Sequence, residues 1–131
     1  MEKISYTAEN VTIVGNYWKG TNGKAAILLH MMPATKESFT PFAEKLHEKG
    51  WSVLAIDLRG HGESTKKIHG ELSTPMNYQE FSDEEHQSSM HDVEGARDWL
   101  EAQGIATENI VIGGASIGAN LAINYMAKDP A

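Results

Sequence analysis

Hydrophobic and polar positions along the chain fall into two periods. Residues 11–18 (VTIVGNYW) alternate and are rich in β-formers, and the shorter stretch KISYTA before them does the same. Together they predict an antiparallel pair joined through Glu9-Asn10. Thr21-Asn22-Gly23 is the next turn signal. Residues 25–30 (AAILLH) and 51–56 (WSVLAI) are unbroken apolar runs, and residues 109–112 (NIVI) form a third. Short continuous runs of this kind predict strands covered on both faces, as in a parallel sheet.

Helical spacing fills the gaps between the runs. Thr40-Pro41 is a capping residue followed by proline at the first helical position, Phe42, Ala43 and Leu46 supply an apolar stripe, and Gly50 stops the helix. Ser82 and Glu85 form a capping-box pattern. Met90, Val93, Ala96 and Leu100 then recur at helical spacing up to Gly104. A last helix is expected over residues 116–128, with Ile117, Leu121, Ala122 and Tyr125 toward the sheet. Residues 57–80 are polar, glycine-bearing and read as irregular.

The resulting order, β-β-β-α-β-α-β-α, predicts an α/β fold with a mostly parallel sheet of about five strands flanked by helices. Ligands of such sheets gather beyond the carboxyl ends of the strands. Three segments lie there: His30-Met31-Met32, residues 57–63 and residues 113–118.

Composition narrows the function. The 131 residues suit a single domain, 1–131, large enough to bury a core. There are no cysteines, which excludes disulfides and thiolate metal sites. The formal charge of −7, without a Lys/Arg cluster, argues against nucleic acid as a partner. No apolar run approaches the ~20 residues of a membrane helix, and the N-terminal stretch lacks the apolar core of a signal peptide. A cytoplasmic protein without membrane contact is expected.

The candidate chemistry lies at Gly114-Ala115-Ser116-Ile117-Gly118. It fits G-x-S-x-G between a strand and a helix, the context that a nucleophile elbow requires. The small residues two before and two after the serine let strand and helix approach, so that the Ser116 hydroxyl projects into the cleft. The Ile117 N–H, at a helix N-terminus, is placed to stabilise an oxyanion. A plain serine helix cap would explain Ser116 but not the flanking Gly114 and Gly118. Phosphate-binding readings fail, because Ala119-Asn120 stand where a P-loop has Lys-Ser/Thr and Ala115 stands where a dinucleotide fingerprint has its middle glycine.

With these segments in view the chain resembles the α/β-hydrolase superfamily, in its esterase, lipase and serine-peptidase-like branch. The resemblance is carried by ILLHMMPATKESFTPFAEKLHEKGWSVLAIDLRGHGES, by DVEGARDWL and by NIVIGGASIGANLAINYMA. It implies a truncated α/β-hydrolase fold running through the elbow and its helix. It implies Ser116 as nucleophile and the backbone N–H groups of Met32 and Ile117 as oxyanion hole, with Met31 replacing the family's usual glycine. It gives Asp57, Arg59 and His61 a loop-holding role. The acid and base of the family follow the nucleophile on later strands, and this chain has no residues matching them.

Of the six histidines, His30 is the best placed as base for Ser116, with bracing of the oxyanion loop as its competing role. His69 lies in the long loop and could fold over the cleft; His47, His86 and His91 fall within helix patterns. His91-Asp92 is no catalytic pair, since adjacent helix residues point in different directions. The expected activity is that of a minimal serine esterase on short-chain esters, without metal or cofactor. The alternative is an incomplete hydrolase half-domain that binds a complementary chain. Strand 109–112 would be an apolar sheet edge, so self-association through that edge or the final helix is expected.

Overall fold

The computed structural model describes residues 1–30, 35–69, 72–77, 79 and 88–114. These form one mixed sheet with helices on both faces. The strands are β1 (Glu2–Ala8), β2 (Val11–Trp18), β3 (Ala25–Leu29), β4 (Ser52–Ile56), β5 (Lys66–His69), β6 (Leu72–Pro75) and β7 (Ile110–Gly114). The helices are α1 (Thr40–Glu48) and α2 (Met90–Ala102), with short 3-10 turns at Lys36–Phe39 and Thr107–Asn109.

All five strands expected from the apolar pattern are present. β3 is parallel to both β4 and β7, and every residue of β3 and β4 is buried. β1 and β2 form the expected hairpin, with Glu9 and Asn10 both at positive φ (47° and 66°). That conformation closes a tight turn whose twist matches the flanking strands.

The sheet runs β6-β5-β2-β4-β3-β7, with β1 also paired to β2. Residues 57–80, read from sequence as irregular, contribute the antiparallel hairpin β5–β6, which extends the sheet beyond β2. His69 therefore lies in β5, on the far side of the sheet from β7, and not over the cleft.

Side-chain alternation along the central strands feeds two cores. Ile27, Leu29, Leu54 and Ile56 pack with Val93, Ala96 and Leu100 of α2. Ala26, Leu28, Val53 and Ala55 point the other way and pack with Ala43 of α1 and Trp18. Each fully buried aliphatic side chain contributes ~1.5–3 kcal/mol. The two helices thus cover opposite faces of the sheet.

Two expectations change in detail. Phe39, not Thr40, is the N-cap of α1, and Thr40 and Pro41 open the helix. Phe42 is 47% exposed, and Phe39 takes its place against the second core. The Ser82–Glu85 capping pattern and the helix expected over residues 116–128 lie outside the described residues. Among the described residues no helix is long and apolar enough to cross a membrane.

Candidate active site

Strand register defines where a site forms. Leu29 of β3 is level with Ile56 of β4 on one side and with Gly114 of β7 on the other. His30, Asp57 and the chain after Gly114 therefore leave the sheet at the same level. This is the end at which open α/β sheets hold their ligands.

The loop after β4 is a packed structure. Asp57, Leu58, Arg59, Gly60, His61 and Ser64 are all buried. The Asp57 N–H donates to the Val14 carbonyl (3.0 Å), and the Val14 N–H donates to Ser64 Oγ (2.9 Å), so the loop is bonded to β2 at both ends. Inside it, Gly60 N–H donates to the Ser64 carbonyl at 2.7 Å. Gly62 has φ +50°, and a Cβ there would run into the Asp57 carboxylate. Glycine is required at that point for both backbone conformation and space.

Asp57 and Arg59 are the two anchors of the loop. Asp57 Oδ1 accepts the Lys36 N–H (2.8 Å), and Oδ2 accepts the Lys36 ammonium (2.7 Å) and the Glu63 N–H (3.0 Å). Arg59 reaches back to α2. Its Nε and a terminal nitrogen donate to Asp92 Oδ1 at 3.0 and 2.8 Å, while its backbone N–H donates to Asp92 Oδ2 at 2.8 Å. Two-pronged guanidinium–carboxylate bonding of this kind fixes orientation as well as distance. Burial pushes the Asp92 carboxyl up to about 6, against the opposing pull of the Arg59 charge and hydrogen bonds. The loop-holding roles expected for Asp57 and Arg59 are what these bonds show. In the sequence Asp92 stands out only beside His91, and nothing in the helical apolar stripe marks it as the partner of Arg59. Its neighbour His91 turns away to Glu9 (2.9 Å).

His30 is fully buried, and its Nε2 accepts the Leu58 N–H at 3.0 Å. That nitrogen therefore carries a lone pair, which ties the end of β3 to the loop after β4. The ring of His61 lies 4.8 Å away, tilted by 58°. His61 Nδ1 donates to the Arg59 carbonyl at 3.1 Å. The Leu58 N–H occupies the lone pair of Nε2 in this arrangement.

Lys36 is the feature that sequence reasoning missed. Its side chain is fully buried, and its ammonium lies 2.7 Å from Asp57, 2.8 Å from Glu63 and 3.1 Å from Glu37. Burial alone would lower its pKa, but the hydrogen bonds to Asp57, Glu63 and Glu37 outweigh it and hold the group above its ordinary value. Hydrogen bonds from Lys3 and Lys36 in turn pull Glu63 down to about 2. A lysine in a polar TKES stretch gives no local sign of burial.

Gly114 is described as the last residue of β7. Ser116, Ile117, Gly118 and Met32 lie outside the described residues. Among the described residues no cluster of His, Cys, Asp and Glu side chains is arranged to hold a metal ion.

Comparison with known proteins bears on the same segments. Residues 25–131 match the family model of the alpha/beta hydrolase fold. The chain belongs to the α/β-hydrolase family. It is 32% identical over 108 residues to Lipase 1 of Psychrobacter immobilis and 30% identical over 108 residues to Lipase 3 of a Moraxella strain, in each case over 82% of this chain. The match covers 28% and 29% of those two lipases, so the chain spans less than a third of their length. Among solved structures, an esterase from Exiguobacterium antarcticum superposes with a TM-score of 0.72 at 19% identity, over 98% of this chain and 41% of that one. An α/β serine hydrolase homologue from Coxiella burnetii superposes with a TM-score of 0.74 at 16% identity, over 98% and 58%. These structural likenesses establish the fold.

Proposed function

We propose that this chain is a serine ester hydrolase acting on short-chain carboxylic esters through an acyl-enzyme on Ser116. The single observation that carries the reading is the parallel register of β3 and β7, with Leu29 level with Gly114. It sets Gly114, the first residue of the G-x-S-x-G stretch, and His30, the residue before Met31-Met32, at the same end of neighbouring strands. Ser116 follows Gly114 by two residues, a reach of about 7 Å. The likeness to two lipases supports an ester as substrate.

In this reading Ser116 Oγ bonds to the acyl carbon, and the N–H groups of Met32 and Ile117 hold the carbonyl oxygen as it becomes an oxyanion. The ester C–O bond breaks, and the serine proton leaves with the departing alcohol or passes to water. Water then releases the acid and restores the serine. His30 braces the oxyanion segment through Leu58. A hydrolase lacking a triad member keeps roughly 10³–10⁴-fold acceleration over water, so activated esters are within reach and amides are not.

A second reading is favoured by the length of the relatives, of which this chain matches less than a third. There the chain carries the nucleophile half of a site, and the acid and base come from a complementary polypeptide segment.

The test is hydrolysis of p-nitrophenyl acetate, wild type against Ser116→Ala, followed through the first turnover. Sustained turnover that disappears in the variant supports the minimal esterase. A burst without turnover supports the half-site, since acylation occurs but deacylation lacks its base. Equal rates in the two proteins overturn the assignment of Ser116.

A further inference from the structure

Asn22-Gly23 is the one place in the sequence where glycine follows asparagine, and it lies in the exposed turn between β2 and β3. The N–H groups of Thr21 and Asn22 donate to the Gly50 carbonyl at 2.8 and 3.0 Å, and the Lys24 N–H donates to Asn22 Oδ1 at 2.9 Å. The bond from Lys24 folds the asparagine side chain back along the backbone, its oxygen on the N–H two residues further on. The side-chain carbon Cγ is thereby held beside the peptide nitrogen between them, that of Gly23.

Asparagine followed by glycine is an ordinary turn signal, and the turn alone accounts for the pair. The bonds that make this turn also prepare a reaction. The Lys24 N–H draws electron density toward Oδ1 and leaves Cγ electron-poor. Among the described residues the Gly23 N–H has no partner, while the N–H groups on both sides of it are bonded. Gly23 has φ +79°, and nothing lies within 4 Å of the place where a side chain would begin, so hydroxide reaches its nitrogen. Asn22 Nδ2 is loosely held, at 3.4 Å from the Lys49 carbonyl, beyond the usual range for such a bond.

We propose that Asn22 is a site of spontaneous modification, through an imide closed between its side chain and the Gly23 nitrogen. Gly23 N gives its proton to hydroxide and bonds to Cγ. The Cγ–Nδ2 bond breaks, and Nδ2 takes a proton from water and leaves as ammonia. Water then opens the imide. Opening at Cγ leaves aspartate at position 22, and opening at the main-chain carbonyl leaves isoaspartate, with the chain running through the former side chain. Holding the two reacting groups together is what makes an intramolecular step of this kind fast. The step needs no oxidant and no enzyme, and it is independent of the reading of Ser116.

The isoaspartate product lengthens the main chain between two fixed points. On one side are the bonds to Gly50, and on the other the Lys24 carbonyl accepts the Ser52 N–H at 2.9 Å. The entry to β3 is therefore the part of the fold that the change loosens.

The experiment holds folded wild type, wild type in urea and folded Asn22→Gln in mildly alkaline buffer over days. The peptide Gly20–Lys24, released by cleavage after Lys19 and Lys24, is then weighed, and the intact chain is offered to an isoaspartyl methyltransferase. Folded wild type is expected to gain one mass unit in this peptide and to accept methyl groups, at a rate proportional to hydroxide and no slower than in urea. Both signals are lost in Asn22→Gln, because glutamine must close a larger ring. A peptide that stays unmodified in the folded protein while it converts in urea would show that the turn protects Asn22, and overturns the proposal. A mass gain without methyl acceptance would mean direct hydrolysis of the amide, and overturns it as well.

Discussion

Asp92 joins the loop after β4 to α2, and its charge state decides how that joint responds to pH. Burial raises its carboxyl from the ordinary value of 3.8 to about 6, with Arg59 opposing. The folded protein then binds a proton at this site where the unfolded chain has released it. The contribution to stability is complete below the unfolded value, near pH 4, and is lost as pH rises through 6. A displacement of that size corresponds to about 3 kcal/mol. The urea midpoint is expected to fall between pH 4 and pH 7, a decline that Asp92→Asn abolishes. Glu63 acts with the opposite sign, because stability from its hydrogen bonds to Lys3 and Lys36 is present above 4.5 and lost as pH falls toward 2.

Packing between elements is close where α2 crosses β1. A Cβ on Gly95 would overlap the ring of Tyr6, whose hydroxyl donates to the Asp92 carbonyl at 2.5 Å. Gly95→Ala gains helix propensity but forces the two elements apart. Overpacking of this kind costs about 1–3 kcal/mol, against the ~1 kcal/mol that alanine returns. A net loss of stability in chemical denaturation, with the Tyr6 hydroxyl bond broken, is the expected outcome. The elements themselves were largely readable. AAILL and SVLAI are buried on both faces, and continuous apolarity reports that directly. The hairpin β5–β6 was not readable, because KKIH and LSTP carry neither alternation nor a continuous apolar run, and β5 joins the sheet through backbone groups of β2 far away in sequence. The motif that points to Ser116 is local and could be found by inspection. Lys36 could not, since its burial is made by Asp57 and Glu63, residues 21 and 27 positions further on.

At the scale of the molecule, the described sheet has β6 at one end and β7 at the other. β7 ends the strand order, pairs with β3 alone among the described residues, and carries Val111 at 52% exposure. Unpaired strand edges of this kind template association. We propose that the chain self-associates through this edge, as a dimer or a larger closed assembly. Light scattering coupled to size exclusion should give at least twice the 14.4 kDa chain mass. Val111→Lys, a charge on the edge strand, should shift the protein toward monomer. A wild-type monomer across micromolar concentrations would remove the proposal.

Strand β2 has a further consequence. Its residues 15–18 pair with β4 and its residues 11–12 with β5, and the backbone of Val14 between them is bonded by Asp57 and Ser64. The loop carrying Asp57, Arg59 and His61 is thus a spacer cut to length between two fixed attachment points on a single strand. Adding or deleting a residue there would slide either β4 or β5 out of register and turn its side chains to the wrong face. The connection between β5 and β6 is under no such restraint, because β6 pairs only with β5 among the described residues. Variation in length on this side of the molecule therefore belongs at the hairpin, and the loop beside the site is free to change in sequence but not in size.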